Sequence, residues 1–153
     1  MKNNSEIKQE LLKCCDAFIE KRFANVQHNI AEVQEALTSE TKSSAGDKHE
    51  TGRAMLQLER EKFGVQLSEV NQVKQALSKI NVLKQSEAVC LGSAVTTNAS
   101  NYFIAISAGE IVVDKTKYFA IAPNTPIGLL LLSKRAGEVV TFRNQEFTIL
   151  NVF

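Results

Sequence analysis

The sequence predicts an α+β protein, in which an N-terminal antiparallel helical coiled-coil hairpin precedes a small, mostly antiparallel β domain with one short helix. In the first half of the chain, apolar residues recur at spacings of three and four, which is the period of a helix. The second half breaks into short segments rich in Val, Ile, Phe, Tyr and Thr, separated by turn residues. The pattern changes near residue 85, so we assign residues 1–84 to the hairpin and residues 85–153 to the β domain.

The first predicted helix covers residues 5–38, a stretch without Gly or Pro. Its apolar residues form one stripe at spacings of three and four: Leu12, Cys15, Ile19, Phe23, Val26, Ile30, Val33 and Leu37. Polar residues occupy the other faces of the segment. The stripe therefore predicts a helix that buries one narrow seam.

A second stripe predicts a partner helix. It consists of Leu56, Phe63, Leu67, Val70, Val73, Leu77 and Ile80. The polar segment between the stripes, residues 39–50, is rich in Ser, Thr and Gly, which favour turns and helix ends. Two helices of similar length joined by a short connection favour an antiparallel pair. We therefore place residues 39–50 at the tip of the hairpin.

The second half of the chain predicts six strands and one helix. The strands cover residues 89–96, 102–106, 110–113, 117–122, 138–142 and 146–153. Arg143-Asn144-Gln145 predicts a tight hairpin connection between the last two strands. Pro126 suits the first position of a helix and a run of leucines follows it, so residues 126–134 predict a short helix.

Charge and cysteine content argue against several classes of protein. Lys and Arg total 18 and Asp and Glu total 17, so bulk charge does not predict tight binding to a polyanion. Cys14 and Cys15 are adjacent and Cys90 is distant, a spacing that fits no zinc motif. We interpret the three thiols as small core residues in a reducing compartment.

Hydropathy argues against a membrane protein. No apolar run approaches the roughly 18 residues that a membrane-spanning helix needs. Residues 1–10 are polar and lack the apolar region of a signal peptide. We therefore expect a cytoplasmic protein with no membrane partner.

Two of the carboxylates in the tip segment, Asp47 and Glu50, lie three residues apart. One interpretation is structural: Asp47 could cap the second helix, with Glu50 bonding back to the N–H of Asp47. The other is functional, because two acids at the end of a long, narrow hairpin could place negative charge inside a cavity of a partner. Both roles can coexist, since the helix dipole favours acids at a helix N-terminus.

Three features in this order resemble the bacterial Gre-type transcription elongation factors. They are the long hairpin, the tip Gly46-Asp47-Lys48-His49-Glu50, and the segment Asn124-Thr125-Pro126-Ile127-Gly128 followed by leucines. Members of that family combine a helical hairpin with an FKBP-like C-terminal domain, and their tips carry a Gly-Asp-x-x-Glu pattern. The chain departs from the family at Thr51-Gly52-Arg53-Ala54, which follows the tip acids, and at Asn124, where the family has an acidic residue.

The resemblance implies a partner and a mechanism. The FKBP-like domain would bind bacterial RNA polymerase through Asn124, Thr125, Pro126, Ile127 and Gly128, and the hairpin would enter the secondary channel. Asp47 and Glu50 would be the catalytic and metal-binding residues that help hold a second Mg²⁺ at the polymerase active centre, where backtracked RNA is cut. The chain would contact the 3′ end of the nascent RNA only indirectly.

By this interpretation the chain is a monomeric activator of another enzyme's active site, not an enzyme, and it binds no Mg²⁺ when isolated. Two other functions stay open. One is a non-catalytic regulator that occupies the secondary channel, suggested by the altered residues after the tip acids. The other is a coiled-coil assembly or adaptor protein without a polymerase role, which would form oligomers through the hairpin seam.

Overall fold

A computed structural model describes residues 1–42 and 46–153, with the backbone alone for residues 40–42 and 46–49. Two long N-terminal helices form a hairpin and precede a six-stranded, mostly antiparallel sheet with one short helix, so the predicted α+β class is confirmed. The helices are α1 (Asn4–Lys42), α2 (Gly46–Ser78) and α3 (Pro126–Leu131). The strands are β1 (Ala94–Thr97), β2 (Tyr102–Ile104), β3 (Gly109–Val113), β4 (Thr116–Ile121), β5 (Val139–Phe142) and β6 (Gln145–Val152).

Contacts between α1 and α2 define the antiparallel pairing. Lys74 Nζ lies 2.9 Å from Glu20 Oε1 and 4.1 Å from the centre of the Phe23 ring. Towards the other end, Arg53 Nη1 donates to the carbonyl oxygen of Leu37 at 3.1 Å. An early residue of α2 therefore meets a late residue of α1. At about 1.5 Å per residue, the 39 and 33 residues of the two helices correspond to about 58 and 50 Å.

The start of α1 is fixed by a capping box. Asn3 Oδ1 accepts from the N–H of Glu6 at 2.9 Å, and Glu6 Oε2 accepts from the N–H of Asn3 at 3.0 Å. At its other end, α1 continues to Lys42, so the first four residues of the predicted tip are helical. The preference of Ser and Thr for turns is weak, whereas each residue added to a growing helix gains one backbone hydrogen bond, and this gain favours continuing the helix.

The buried seam follows the predicted stripes, with one shift. Buried members include Cys15, Ile19, Val26, Val33 and Leu37 of α1, and Val70 and Leu77 of α2. The seam of α1 begins at Lys8 and Leu11, whereas the sequence predicted Leu12, which is only half-buried. Leu11 is four residues before Cys15, so it continues the helical spacing, and Lys8 extends the same line by three residues.

The chain divides into two compact units. One combines Met1–Phe18 with Gln75–Phe153, and the other is Ile19–Lys74. The first 18 residues and residues 75–84 therefore belong to the same compact unit as the sheet. None of the helices in the described ranges is long and apolar enough to cross a bilayer.

The strands are ordered β3-β4-β2-β1-β6-β5, and every neighbouring pair is antiparallel except β2 and β4. All six predicted strands are present. The first begins at Ala94 and not at residue 89, because Val89 bonds to the loop after α3 and Gly92 turns the chain with φ of 92°. Arg143 and Asn144 have φ of 52° and 65°, so they form the two-residue turn between β5 and β6 that the sequence predicted.

The core of the β domain lies between the sheet and α3. Its buried cluster consists of Val89, Val95, Ile104, Leu131, Val140, Phe147 and Ile149. The helix α3 contributes Leu131, with no exposed surface, and Ile127 packs against the cluster from the same helix. The predicted helix end at residue 134 was too late: α3 ends at Leu131, because Leu132 has extended dihedral angles and Ser133 has φ of 70°.

A buried lysine joins the start of α1 to the chain that leaves α2. Lys8 is 2% exposed, and its Nζ donates to the carbonyl oxygen of Lys84 at 3.0 Å. Burial lowers the pKa of Lys8 because the ammonium loses its hydration, and the charge of Cys90 opposes that change. The folded chain therefore holds the Lys8 proton more weakly than the unfolded chain does.

Lys8 should make the stability of the fold depend on pH in a defined direction. As pH rises from neutral through the lowered pKa towards 10.5, the unfolded state keeps this proton longer, so the free energy of unfolding should rise. Lys8→Met removes the dependence, and Cys90→Ala, made in both the parent chain and the Lys8→Met chain, removes the influence of Cys90 on the Lys8 pKa. The measurement is denaturant unfolding of both chains at several pH values. The parent chain should gain stability relative to the Lys8→Met chain as pH rises, and a constant difference would contradict this account.

Candidate functional site

The tip acids lie at the N-terminal end of α2. The helix begins at Gly46, so Asp47 is its second residue and Glu50 its fifth. The Glu50 side chain is exposed. The side chains of Asp47, Lys48 and His49 lie outside the described residues.

The start of α2 bears on the capping interpretation of the tip. The backbone of Asp47 is helical, whereas an N-cap residue has non-helical dihedral angles and precedes the helix. A capping box headed by Asp47 therefore does not match this helix start. The helix dipole still favours acidic residues in the first turn.

Arg53 has a structural role next to the tip. Lys42, Lys48 and Arg53 are basic residues close to the tip acids in the sequence. Arg53 is half-buried, and its hydrogen bond to the Leu37 carbonyl links the two helices. The side chains of Lys42 and Lys48 lie outside the described residues. Arg53 therefore supports the position of the tip acids on the hairpin.

The donor set of the tip suits a hard cation only in part. Mg²⁺ prefers oxygen ligands and is usually held by one or two protein carboxylates together with waters and phosphates. Among the residues whose side chains are described, no group of three or more His, Cys, Asp and Glu could hold a metal ion. Asp47 and Glu50 by themselves would therefore supply only part of the ligands that Mg²⁺ requires.

The predicted docking segment, Asn124 to Gly128, divides into structural and exposed residues. Thr125 is the N-cap of α3: its Oγ1 accepts from the Gly128 N–H at 3.2 Å and donates to the Ala122 carbonyl at 2.7 Å. Gly128 is buried, and a Cβ there would lie 2.5 Å from the Ala122 oxygen. Ile127 packs against the core. Thr125, Ile127 and Gly128 therefore hold α3 on the sheet.

The exposed surface of this segment includes two leucines that the sequence analysis did not single out. Asn124 and Pro126 are exposed, and beside them Leu129 and Leu130 are 62% and 38% exposed. Four consecutive leucines on a short helix cannot all face one side, because only part of a helix surface faces the core. The run of leucines in the sequence therefore indicates an exposed apolar patch. We call Asn124, Pro126, Leu129 and Leu130 the α3 patch.

The aromatic residues of the β domain serve its packing. Phe103, Tyr118, Phe147 and Phe153 are buried. The Tyr102 ring lies 6.4 Å from the Phe119 ring and 6.3 Å from the Phe147 ring, within the range of tilted aromatic pairs. Burial raises the pKa of Tyr102, and a hydrogen bond with the Ser100 side chain partly offsets this rise. These contacts make the aromatic residues part of the packing of the β domain.

Comparison with known proteins adds no family assignment. No protein-family model matches the chain, and no curated protein matches it. The interpretation of the chain therefore rests on its motifs and its geometry.

Two glycine substitutions should separate the structural role of Gly128 from a general effect of losing glycine. Gly128→Ala should destabilise the fold by about 1–3 kcal/mol, because the added methyl group collides with backbone oxygen. Gly64 lies inside α2, where its Cβ would meet only the Arg60 side chain at 3.4 Å. Gly64→Ala should be neutral or stabilise by up to about 1 kcal/mol. Denaturant unfolding of both variants tests this, and equal effects would contradict the role assigned to Gly128.

Proposed function

We propose that this chain is an RNA polymerase-binding transcription elongation factor that inserts its hairpin into the secondary channel and stimulates cleavage of backtracked RNA. The observation that carries the proposal is the position of Asp47 and Glu50. Both belong to the first turns of α2, at the loop end of a hairpin whose helices are about 50 Å long or more. A hairpin of two helices is narrow enough to enter a channel and long enough to reach a buried active centre.

The β domain supports the proposal because it supplies a separate surface for docking. The α3 patch has two exposed leucines beside Asn124 and Pro126, on a helix that is firmly capped and packed. Exposed apolar side chains held on a rigid element are a common feature of protein interfaces. Docking through this patch would leave the tip acids free to act elsewhere.

The chemistry expected at the tip needs the polymerase. When bound there, a second Mg²⁺ supplies activation of the attacking water and stabilisation of the leaving oxygen. The carboxylates of Asp47 and Glu50 would contribute negative charge and oxygen ligands to such a metal. Since two carboxylates supply only part of the ligands that Mg²⁺ requires, the chain would stimulate cleavage by the polymerase and would be inactive alone.

Charge removal at the tip tests the catalytic part of the proposal. Asp47→Asn with Glu50→Gln keeps side-chain size but removes both negative charges, and amides are much poorer Mg²⁺ ligands than carboxylates. The double variant should bind polymerase as the wild type does, with little change in melting temperature, and should lose at least about tenfold in stimulated cleavage. The measurement is release of short 3′ RNA fragments from a stalled, backtracked complex.

Glu59→Gln with Glu61→Gln is the matched control, because it removes the same charge from exposed positions of α2 away from the tip. This control should cleave as the wild type does. Equal release by the wild type and the tip variant rules out a metal role for Asp47 and Glu50. Polymerase binding without release by either protein would favour the channel-occupying regulator instead.

The docking part of the proposal has its own test. Asn124→Arg with Leu129→Lys alters two exposed residues of the α3 patch, so the fold should be unchanged while affinity for core RNA polymerase falls at least about tenfold. Leu150→Lys is the control, since Leu150 is 59% exposed on β6. Affinity is measured with immobilised polymerase. Equal affinity of the patch variant and the wild type would exclude the α3 patch as the docking surface.

An assembly or adaptor role is the second candidate function. Met55, Leu58 and Val65 of α2 are 64%, 66% and 60% exposed, at spacings of three and seven that place them on one side of the helix. Such a stripe could bind another helix. Sedimentation over a wide range of chain concentration separates the two candidates, because a concentration-independent monomer disfavours self-assembly and leaves the polymerase proposal in place.

A further inference from the structure

The strand β3 forms one edge of the sheet. In the strand order it has β4 on one side and, within the described residues, no strand on the other. Asp114 and Lys115 have φ of 52° and 66°, so they form a two-residue turn that joins β3 to β4. The residues that flank such a turn, Val113 and Thr116, exchange backbone hydrogen bonds. Along β3, residues bonded to β4 and residues that point outwards therefore alternate.

Glu110 and Val112 are the outward-pointing residues of this edge. The bonds of β4 agree with the alternation, because Phe119, the register partner of Glu110, donates its N–H to the Asn101 carbonyl at 2.8 Å and not to β3. Among the described residues, the N–H and C=O groups of Glu110 and Val112 have no backbone partner. The edge therefore presents unpaired donors and acceptors to a further strand.

The strand β3 lacks the features that usually keep an edge from pairing with another chain. Such edges are blocked by Pro, by a bulge or by very short length. The five residues of β3 include no Pro, and their register with β4 runs from Gly109 to Val113 without a shift. Val112 is 59% exposed, so pairing would also bury apolar surface.

The charges beside the edge define the strand that fits it. Lys117 Nζ lies 3.4 Å from Glu110 Oε1, and both side chains are about half exposed. The register places Val112 opposite Lys117 and Glu110 opposite Phe119, so these side chains lie on one face of the sheet. A further strand that carries an acid opposite Val112 would bring that acid towards Lys117.

We propose that this strand is β3 of a second copy of the chain. The two β3 edges pair antiparallel about a two-fold axis at Ile111, so that the sheets of two chains become continuous. Glu110 of each copy then lies opposite Val112 of the other, and each pair exchanges both of its N–H···O=C bonds. Two-fold dimers are the commonest oligomers. This dimer goes beyond the function proposed above and does not depend on polymerase binding.

Charge favours this register over its neighbours. Each Glu110 points across Val112 of the other copy towards Lys117 of that copy, while the two Glu110 side chains lie on the diagonal, about 7–8 Å apart. An axis at Val112 would set Glu110 opposite Asp114 of the other copy. An axis at Glu110 would set the two Glu110 side chains opposite each other. Like charges directly opposite destabilise a sheet, so the axis at Ile111 is preferred.

The other edge of the sheet, β5, serves as an internal comparison. Its outward-pointing residues, Val139 and Thr141, lie opposite Thr148 and Glu146 of β6. This set contains an acid and no base, so a two-fold pairing of β5 brings no opposite charges together. We therefore place the dimer contact at β3.

Proline substitutions at the two edges test the contact. Val112→Pro removes an outward N–H and no bond between β3 and β4, and edge positions of this kind tolerate proline. By sedimentation, the wild-type chain should pass from monomer to dimer as its concentration rises from micromolar towards millimolar. Val112→Pro should raise the Kd of the dimer at least about tenfold. Thr141→Pro on β5 and Leu58→Lys on the exposed stripe of α2 should leave the Kd unchanged.

A charge exchange tests the second copy itself. Glu110→Lys places two bases at the edge, and Lys117→Glu places two acids there. Each variant alone should dimerise at least about fivefold more weakly than the wild type, because like charges then face each other across the junction. An equal mixture of the two variants should recover the wild-type Kd, because bases of one chain then face acids of the other. Both positions are exposed, so the fold should persist.

A wild-type chain that stays monomeric over the whole range would overturn the proposal and would leave the edge to an extended segment of another protein. Equal weakening by the two proline variants, or loss of the dimer in Leu58→Lys, would place the contact elsewhere and overturn it as well. If Val112→Pro does not fold, the charge variants decide. A mixture that associates no better than either variant alone would contradict the proposed pairing.

Discussion

The hydrogen bond from the Lys8 ammonium to the Lys84 carbonyl joins the start of α1 to the chain that leads from α2 into the sheet. A pair of long helices buries only one narrow seam, and marginal helices depend on tertiary packing for their stability. The contacts of this chain place the first 18 residues and residues 75–84 with the sheet. The bond therefore stabilises the packing of the start of α1 against the chain that leaves α2, within the compact unit that contains the sheet.

The short helix α3 shows how one segment can serve both the fold and an interface. The Thr125 hydroxyl bonds in two directions, and Gly128 fits against the Ala122 oxygen where no larger residue can. These contacts fix the helix on the core through Leu131. The same orientation exposes Leu129 and Leu130 on the opposite side. The segment from Asn124 to Gly128, which the sequence analysis assigned wholly to docking, therefore contains residues that stabilise the fold as well as exposed residues.

Periodicity predicted the elements well, because burial of one helix face or alternate strand positions is written directly in the sequence. Periodicity could not predict that the buried seam of α1 begins at Lys8, because a lysine is not counted as an apolar residue. The burial of Lys8 also depends on a carbonyl oxygen 76 residues away. The late start of β1 likewise depends on bonds from Val89 to the loop after α3. The roles of Asp47 and Glu50 were predicted from their spacing and from the family resemblance, whereas the exposure of Leu129 depends on the fold.

We propose that the tip of the hairpin acts inside a polymerase while the β domain binds the surface of that polymerase. A photoreactive side chain at Thr51, which is exposed and lies one residue after Glu50, tests this directly. In a backtracked complex, irradiation should crosslink the chain to the RNA 3′ region and to the catalytic subunits beside it. Stable binding of the chain to polymerase with crosslinks confined to the outer surface would contradict the account.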